Sequence, residues 1–83
     1  MSIILDGFYD VRCSHIVKCN GKVYYVDSVE TSDCGLETMV FKCDENGEVT
    51  DWTDLYCERY NNYAEMLNRH DYIINHLEEF INA

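Results

Sequence analysis

The chain has 83 residues, and its 16 acidic and 6 basic side chains give a formal net charge of −10. This length predicts one domain over 1–83, with residues 1–9 as a loose arm or a short strand. The acidity argues against direct binding to nucleic acid or to an anionic membrane. The first residues lack the basic flank of a signal peptide, and no apolar run is long enough to span a bilayer, so we expect a cytoplasmic protein.

The first predicted element is a β-hairpin. Residues 10–19 alternate as a strand should, with Cys13, His15 and Cys19 on one face. Asn20 and Gly21 tolerate the positive φ angles of a type I′ turn, and a second strand follows over 22–31.

A second hairpin is predicted after a polar, turn-like segment at 32–35. Its strands cover 37–43 and 48–52, and the tight turn between them, at 44–47, carries an Asn-Gly pair. The pattern of residues 53–60 fits no single element, and we interpret this segment as irregular or as a short strand. Two hairpins in succession favour an antiparallel sheet of three to four strands.

The last predicted element is an amphipathic helix that starts at Tyr63. Apolar residues recur there at helical spacing, and Asn62 followed by Glu65 resembles a capping box. The pattern predicts a single helix of about 20 residues, long enough to lie across the sheet. The expected fold class is α+β, with the sheet packed against one C-terminal amphipathic helix.

The chain contains five cysteines, an odd number that argues against a complete disulfide framework. Only Cys13, His15 and Cys19 are spaced tightly enough to suggest metal ligands, and they lack the paired CxxC motifs of structural zinc sites. We therefore favour free thiols and expect no cofactor. A zinc-stabilised domain that adds Cys34 or Cys43 as a further ligand is an alternative.

Nothing in the sequence singles out a catalytic centre. His70 lies within the apolar stripe of the helix, where a histidine is more often a satisfied core residue than a catalyst. No serine lies in a nucleophile elbow, and the four glycines are spread as turn residues and form no phosphate-binding loop. We expect a protein that is not an enzyme.

The acidic residues cluster around the second hairpin, and aromatic residues lie among them. Tyr and Trp are good interface anchors, so this pattern favours a surface that binds a basic site on another protein. Solvated strand edges, or a structural module that forms homo-oligomers, are the alternatives. The predicted partner-binding residues are Asp27, Glu30, Asp44, Glu45, Glu48, Asp51, Trp52, Asp54, Tyr56 and Glu58.

Three segments carry a resemblance to a known group of proteins. The run ETMVF at 37–41, the run DENGEVTDW at 44–52, and ERY at 58–60 followed by a helix with His70 resemble small uncharacterised phage and prophage proteins of Firmicutes. The resemblance covers about residues 22–77, leaves the segment through Cys19 unmatched, and implies an accessory protein of a mobile element.

The overall profile, small, acidic and without catalytic residues, is similar to that of anti-CRISPR inhibitors. That similarity implies a stoichiometric inhibitor of a host nucleic-acid enzyme such as a Cas nuclease, with carboxylates in place of phosphates. Reversing four acidic charges of the second hairpin should then abolish inhibition without unfolding the protein. The residues to be replaced by lysine are Asp44, Glu45, Glu48 and Asp51.

Overall fold

A computed structural model describes residues 12–31 and 35–81, which form a four-stranded antiparallel sheet with C-terminal helices packed on one face. The elements are β1 (Arg12–Cys19), β2 (Lys22–Thr31), β3 (Gly35–Cys43), β4 (Val49–Tyr60), α1 (Tyr63–Asn75) and α2 (Glu78–Ile81). The predicted α+β class and the two hairpins are confirmed. The predicted arm at 1–9, the start of the first strand at 10–11 and most of the polar segment at 32–35 lie outside the described residues.

The strands follow one another in the order β1-β2-β3-β4, and the two tight turns differ in type. Asn20 and Gly21 have φ angles of 53° and 82°, as the predicted type I′ turn requires. In the second hairpin only Gly47 has a positive φ, 87°, and its N–H donates to the carbonyl of Asp44 over 2.9 Å. This turn is therefore a three-residue loop that ends in a left-handed glycine.

Strand β4 is longer than the sequence predicted. Residues 53–60 were expected to be irregular or a short strand, but β4 continues to Tyr60 and pairs with β3 as far as Leu36. The register shifts between Val40 and Lys42, whose partners in β4 are Tyr56 and Asp51, so residues 52–55 form an irregular bulge between two paired stretches. Along its second half, the half-buried residues alternate with exposed ones, and they are Tyr56, Glu58 and Tyr60.

The core lies between the sheet and the helices. Side chains from β2 and β3 meet two residues from the C-terminal segment, and these five are Tyr24, Val26, Val40, Ile73 and Leu77. Because every strand alternates, the same face that carries this core also carries Ser28, Thr38 and Glu58 farther along the sheet. Polar side chains are thus placed under helix α1, where the site described below is found.

Helix α1 begins with the predicted cap. The Asn62 side-chain oxygen accepts a hydrogen bond from the Glu65 backbone N–H at 2.8 Å, and Asn62 has extended backbone angles. The Glu65 carboxylate accepts from the N–H of Asn61 at 3.2 Å, one residue before the partner of a standard capping box. The Asn62-to-Glu65 spacing therefore marks the helix start correctly.

We expect Asn62→Ala to lower the free energy of unfolding by about 1 kcal/mol, because the Glu65 N–H loses its acceptor at the helix start. The matched control is Asn62→Asp, which keeps an acceptor oxygen and should change stability little. Urea denaturation followed by circular dichroism measures both. If Asn62→Asp were as destabilising as Asn62→Ala, the side-chain acceptor would not be what stabilises this terminus.

The helix does not run uninterrupted to the C-terminus, which corrects the prediction of a single helix of about 20 residues. The Asn75 amide donates to the carbonyl of Asp71, and the His76 ring bonds the carbonyl of Tyr72. The His76 N–H would use the Tyr72 carbonyl in a continuing helix, but it donates to the carbonyl of Ile73 at 3.2 Å, so the helix ends at Asn75. The short helix α2 follows, and neither of these described helices is long and apolar enough to cross a membrane.

Candidate functional site

The second hairpin concentrates negative charge at one end of the sheet. Residues 44–54, here called the acidic hairpin, contain five acidic residues and no lysine or arginine. Glu45, Glu48, Asp51 and Asp54 are exposed. Asp44 is half-buried and stabilises the turn, because its carboxylate accepts from the N–H groups of Asn46 and Glu48 at 2.9 and 3.0 Å.

Trp52 is the most exposed large apolar residue described, with 70% of its surface accessible. Its ring contacts buried Phe41 edge-on, with 5.1 Å between the ring centroids, so one edge of the ring packs on the sheet while most of its surface stays accessible. Beside it is an open cleft of about 380 Å³, lined by Tyr25, Gly47, Glu48, Val49 and Trp52. The acidic hairpin thus presents an aromatic ring and a shallow cleft among carboxylates.

Not every predicted partner-binding residue belongs to this surface. Glu30 is exposed but lies near the opposite end of the sheet, where β2 pairs with Leu36. Asp27 is buried and accepts a hydrogen bond from the Ser14 hydroxyl at 2.9 Å. Tyr56 and Glu58 face the helices. The structure therefore brings together six of the ten predicted residues: Asp44, Glu45, Glu48, Asp51, Trp52 and Asp54.

Glu58 is the centre of a polar cluster under helix α1. Arg69 donates to both of its carboxylate oxygens, at 2.9 and 3.1 Å, and the hydroxyls of Tyr56 and Tyr60 donate at 2.5 and 2.6 Å. Burial alone would raise the pKa of Glu58, but these hydrogen bonds outweigh it and hold the pKa to about 2. Glu58 is therefore ionised, and its oxygens act only as acceptors.

A chain of side-chain hydrogen bonds leads from this cluster to the edge of the sheet. The hydroxyl oxygens of Tyr60 and Thr38 are 2.8 Å apart, and those of Thr38 and Ser28 are 2.5 Å apart. Ser28 contacts His70 Nδ1 at 2.6 Å, and His70 Nε2 lies 2.8 Å from His15 Nδ1. This series of hydrogen bonds links all four strands to helix α1. Three of the residues in it are buried: Ser28, Thr38 and His70.

The direction of this chain follows from counting protons, because each hydroxyl has only one. The Tyr60 hydroxyl donates its single hydrogen bond to the Glu58 carboxylate. The Thr38 hydroxyl must therefore be the donor in the hydrogen bond between Thr38 and Tyr60. Ser28 then donates to Thr38, and His70 Nδ1 carries the proton that is donated to Ser28. Burial, reinforced by His15, lowers the pKa of His70, so the ring is neutral at neutral pH. Its Nε2 therefore holds a lone pair directed at His15.

This proton count excludes one reading of the Ser28–His70 contact. A serine bonded to a histidine resembles a nucleophile and its base, but here His70 is the donor and has no free nitrogen on that side. Ser28 is also fully buried, and its hydroxyl already donates a hydrogen bond to Thr38. The pair orients the His70 ring and is not a nucleophile–base pair.

At the edge of the sheet, Cys13 joins the two histidines. One ligand atom from each of Cys13, His15 and His70 lies within 4.8 Å of the other two. Burial raises the pKa of the Cys13 thiol, and Asp27 adds to this effect, so the sulfur is protonated at neutral pH. Cys19, the third member of the predicted metal group, packs against the apolar core instead.

Sequence reasoning missed His70 as a partner of His15 because the two are 55 positions apart. The available signal was a histidine in a position of the apolar stripe where the other members are Met66, Ile73 and Leu77. Only the pairing of β1 with β2, and the packing of α1 on β2, bring that histidine to the face that carries Cys13 and His15.

Comparison of the chain with protein-family models, with curated proteins and with solved structures found no match.

Proposed function

We propose that this protein is a non-catalytic binding protein whose acidic hairpin occupies a basic groove of a partner protein. The observation that carries the proposal is Trp52, which is exposed, lines a cleft with Glu48 and lies between Asp51 and Asp54 in the sequence. Exposed tryptophans surrounded by polar groups are typical anchors of protein interfaces. A Lys- or Arg-lined groove supplies the opposite charge that these carboxylates need.

The partner class that fits best is a nucleic-acid enzyme, since such enzymes have grooves built to bind phosphates. Five carboxylates within eleven residues present charge at a density that such a groove can accept in place of nucleic acid. The chain would then act as a stoichiometric inhibitor in the host cytoplasm. The resemblance of about residues 22–77 to phage proteins and the anti-CRISPR profile make a Cas nuclease the first candidate.

The charge-reversal variant should leave the turn intact, so the set of four acids expected from the sequence is revised to omit Asp44 and Asp51. Asp44 and Asp51 accept backbone hydrogen bonds, and those of Asp51 lower its pKa, so replacing either would disturb the fold. Glu45, Glu48 and Asp54 are exposed, and in the described structure their side chains make no hydrogen bond. The same change at three exposed acids outside the hairpin gives the matched control, and these are Glu30, Asp71 and Glu78.

We expect Glu45→Lys, Glu48→Lys and Asp54→Lys together to abolish inhibition, while the matched control inhibits as the unmodified protein does. Both variants change the net charge equally, so a difference between them is due to position. The assay titrates each protein into a nuclease reaction at 1:1 and higher ratios, at low and at moderate salt. Full inhibition by the hairpin variant would overturn the proposal.

Trp52→Ala is the second arm of the same test. The loss of an interface anchor should weaken binding by about 2 kcal/mol, or about 30-fold, without changing the charge.

Parallel pull-downs of the unmodified protein and the hairpin variant from host lysate, eluted by a salt gradient, identify the enzyme to assay. If only further copies of this chain were recovered, size-exclusion chromatography with light scattering would measure the oligomer, and the structural-module alternative would replace the proposal.

A further inference from the structure

We propose that Cys13, His15 and His70 form a binding site for a thiophilic transition-metal ion, with Zn²⁺ as the ion that these donors favour. The three ligand atoms already lie within 4.8 Å of one another, although they come from a strand and from a helix. One sulfur and two imidazole nitrogens are the donor types found in zinc sites, whereas Mg²⁺ and Ca²⁺ require oxygen. This site is independent of the acidic hairpin and of the proposed inhibition.

The His70 ring is oriented in advance as a ligand. Its Nδ1–H donates to Ser28, and the hydrogen bonds beyond Ser28, through Thr38 and Tyr60, end at the ionised carboxylate of Glu58. Nε2 is left with its lone pair directed toward the other two donors. Histidines that bind metals characteristically donate their second ring N–H to a fixed acceptor, which sets the tautomer and the angle of the ring.

A shift of about half an ångström between the two imidazoles, and of up to about 1 Å for the Cys13 sulfur, separates the described geometry from a coordinated ion. Zn–N distances of about 2.0 Å and tetrahedral angles place two ligand nitrogens about 3.3 Å apart, and Zn–S distances are about 2.3 Å. The ring nitrogens of His15 and His70 are now 2.8 Å apart. His15 is exposed on the edge strand β1, so it can move outward by about half an ångström while buried His70 stays in place.

The protons of the site can be accounted for. The ion replaces the thiol proton of Cys13, which leaves to solvent as the sulfur becomes a thiolate. The proton between the two imidazoles moves to the outer nitrogen of His15, and the inner nitrogen then binds the ion. Three protein donors leave one tetrahedral position for water or for another ligand, as in zinc sites that act on small molecules.

The test uses cobalt as a spectroscopic probe for zinc. Full-length protein, purified and treated with a reductant and a chelator and then freed of both, is titrated with Co²⁺ and back-titrated with Zn²⁺. We expect one ion per chain, a thiolate-to-cobalt charge-transfer band in the near ultraviolet, and intense visible bands of tetrahedral Co²⁺ that Zn²⁺ abolishes. Excess zinc should also raise the melting temperature.

The variants Cys13→Ser and His15→Asn remove one ligand each from positions that are not fully buried, so both should fold. Each should weaken binding at least tenfold, and Cys13→Ser should also remove the charge-transfer band. Cys57→Ser and His76→Asn change a cysteine and a histidine outside the site, and they should bind as the unmodified protein does. No binding, a spectrum without the thiolate band, or full affinity in Cys13→Ser would overturn the proposal.

Discussion

Glu58→Gln should lower the free energy of unfolding by up to about 3 kcal/mol at neutral pH. The amide has no charge for Arg69 and only one acceptor oxygen for Tyr56 and Tyr60, so a partly buried cluster loses both charge and hydrogen bonds. The figure follows from the pKa of Glu58, which is about 2 in the folded chain against a usual 4.5. It is an upper bound, since 38% of the Arg69 side chain is exposed to solvent that screens the pair.

The same pKa determines how the loss depends on pH. A carboxyl group whose pKa is lower in the folded state contributes its full stabilisation above its unfolded pKa and loses it as the pH falls toward its folded pKa. The stabilisation by Glu58 is therefore complete above about pH 4.5 and declines toward about pH 2. The difference between the unmodified protein and Glu58→Gln should shrink over that range.

Urea denaturation at pH 7, 5 and 3 measures this difference, with Asp54→Asn as the control. Asp54 is an exposed acid on the same strand, and in the described structure its side chain makes no hydrogen bond, so the control should unfold like the unmodified protein. A difference that stayed constant between pH 7 and pH 3 would mean that Glu58 acts through packing and not through its charge.

Ile73→Ala should cost about 2–5 kcal/mol of folding free energy. Ile73 is fully buried and joins helix α1 to Tyr24, Val26 and Val40 of the sheet. Its truncation removes apolar contacts and leaves a cavity that the other four core residues have little means to fill. A domain of this size has a total stability on the order of 5–10 kcal/mol, so the variant should be close to unfolding at 37 °C.

The control for this change is Leu67→Ala on the same helix, where 38% of the leucine surface is already exposed. That variant should cost about 1 kcal/mol or less, because little apolar area is lost from the interior. Both are compared by the urea midpoint and by the slope of the transition. Equal losses in the two variants would show that the helix is not held to the sheet through Ile73.

Much of the architecture could be predicted because it depends on short-range chemistry. The Asn20-Gly21 pair sets a hairpin turn by its backbone freedom, and Asn62 with Glu65 sets a helix start by one hydrogen bond. Apolar residues that recur every two positions indicated strands, and apolar residues that recur about every 3.6 positions indicated a helix. Each of these signals is contained within a few neighbouring residues, so no knowledge of the rest of the chain was needed.

The errors arose where two local signals compete. The C-terminal apolar stripe continues past Asn75, but the His76 ring bonds the Tyr72 carbonyl that the next helical N–H would use. The segment 53–60 gave a weak strand signal, since Tyr56 and Glu58 are both half-buried although only one is apolar. Glu58 was predicted to be a surface acid because its partner, Arg69, lies on helix α1, and nothing in the sequence near Glu58 indicates that contact.

The sequence by itself determined the two hairpins, the start of the helix and the acidity of the hairpin at 44–54. The tertiary structure alone decided which polar residues became interior ones and which met. Ser28, Thr38 and His70 are hydrophilic, yet strand register and helix packing bury them and link them in one directed chain. Hydrogen bonds between residues 10 to 55 positions apart depend on how whole elements pack, and local composition does not encode that.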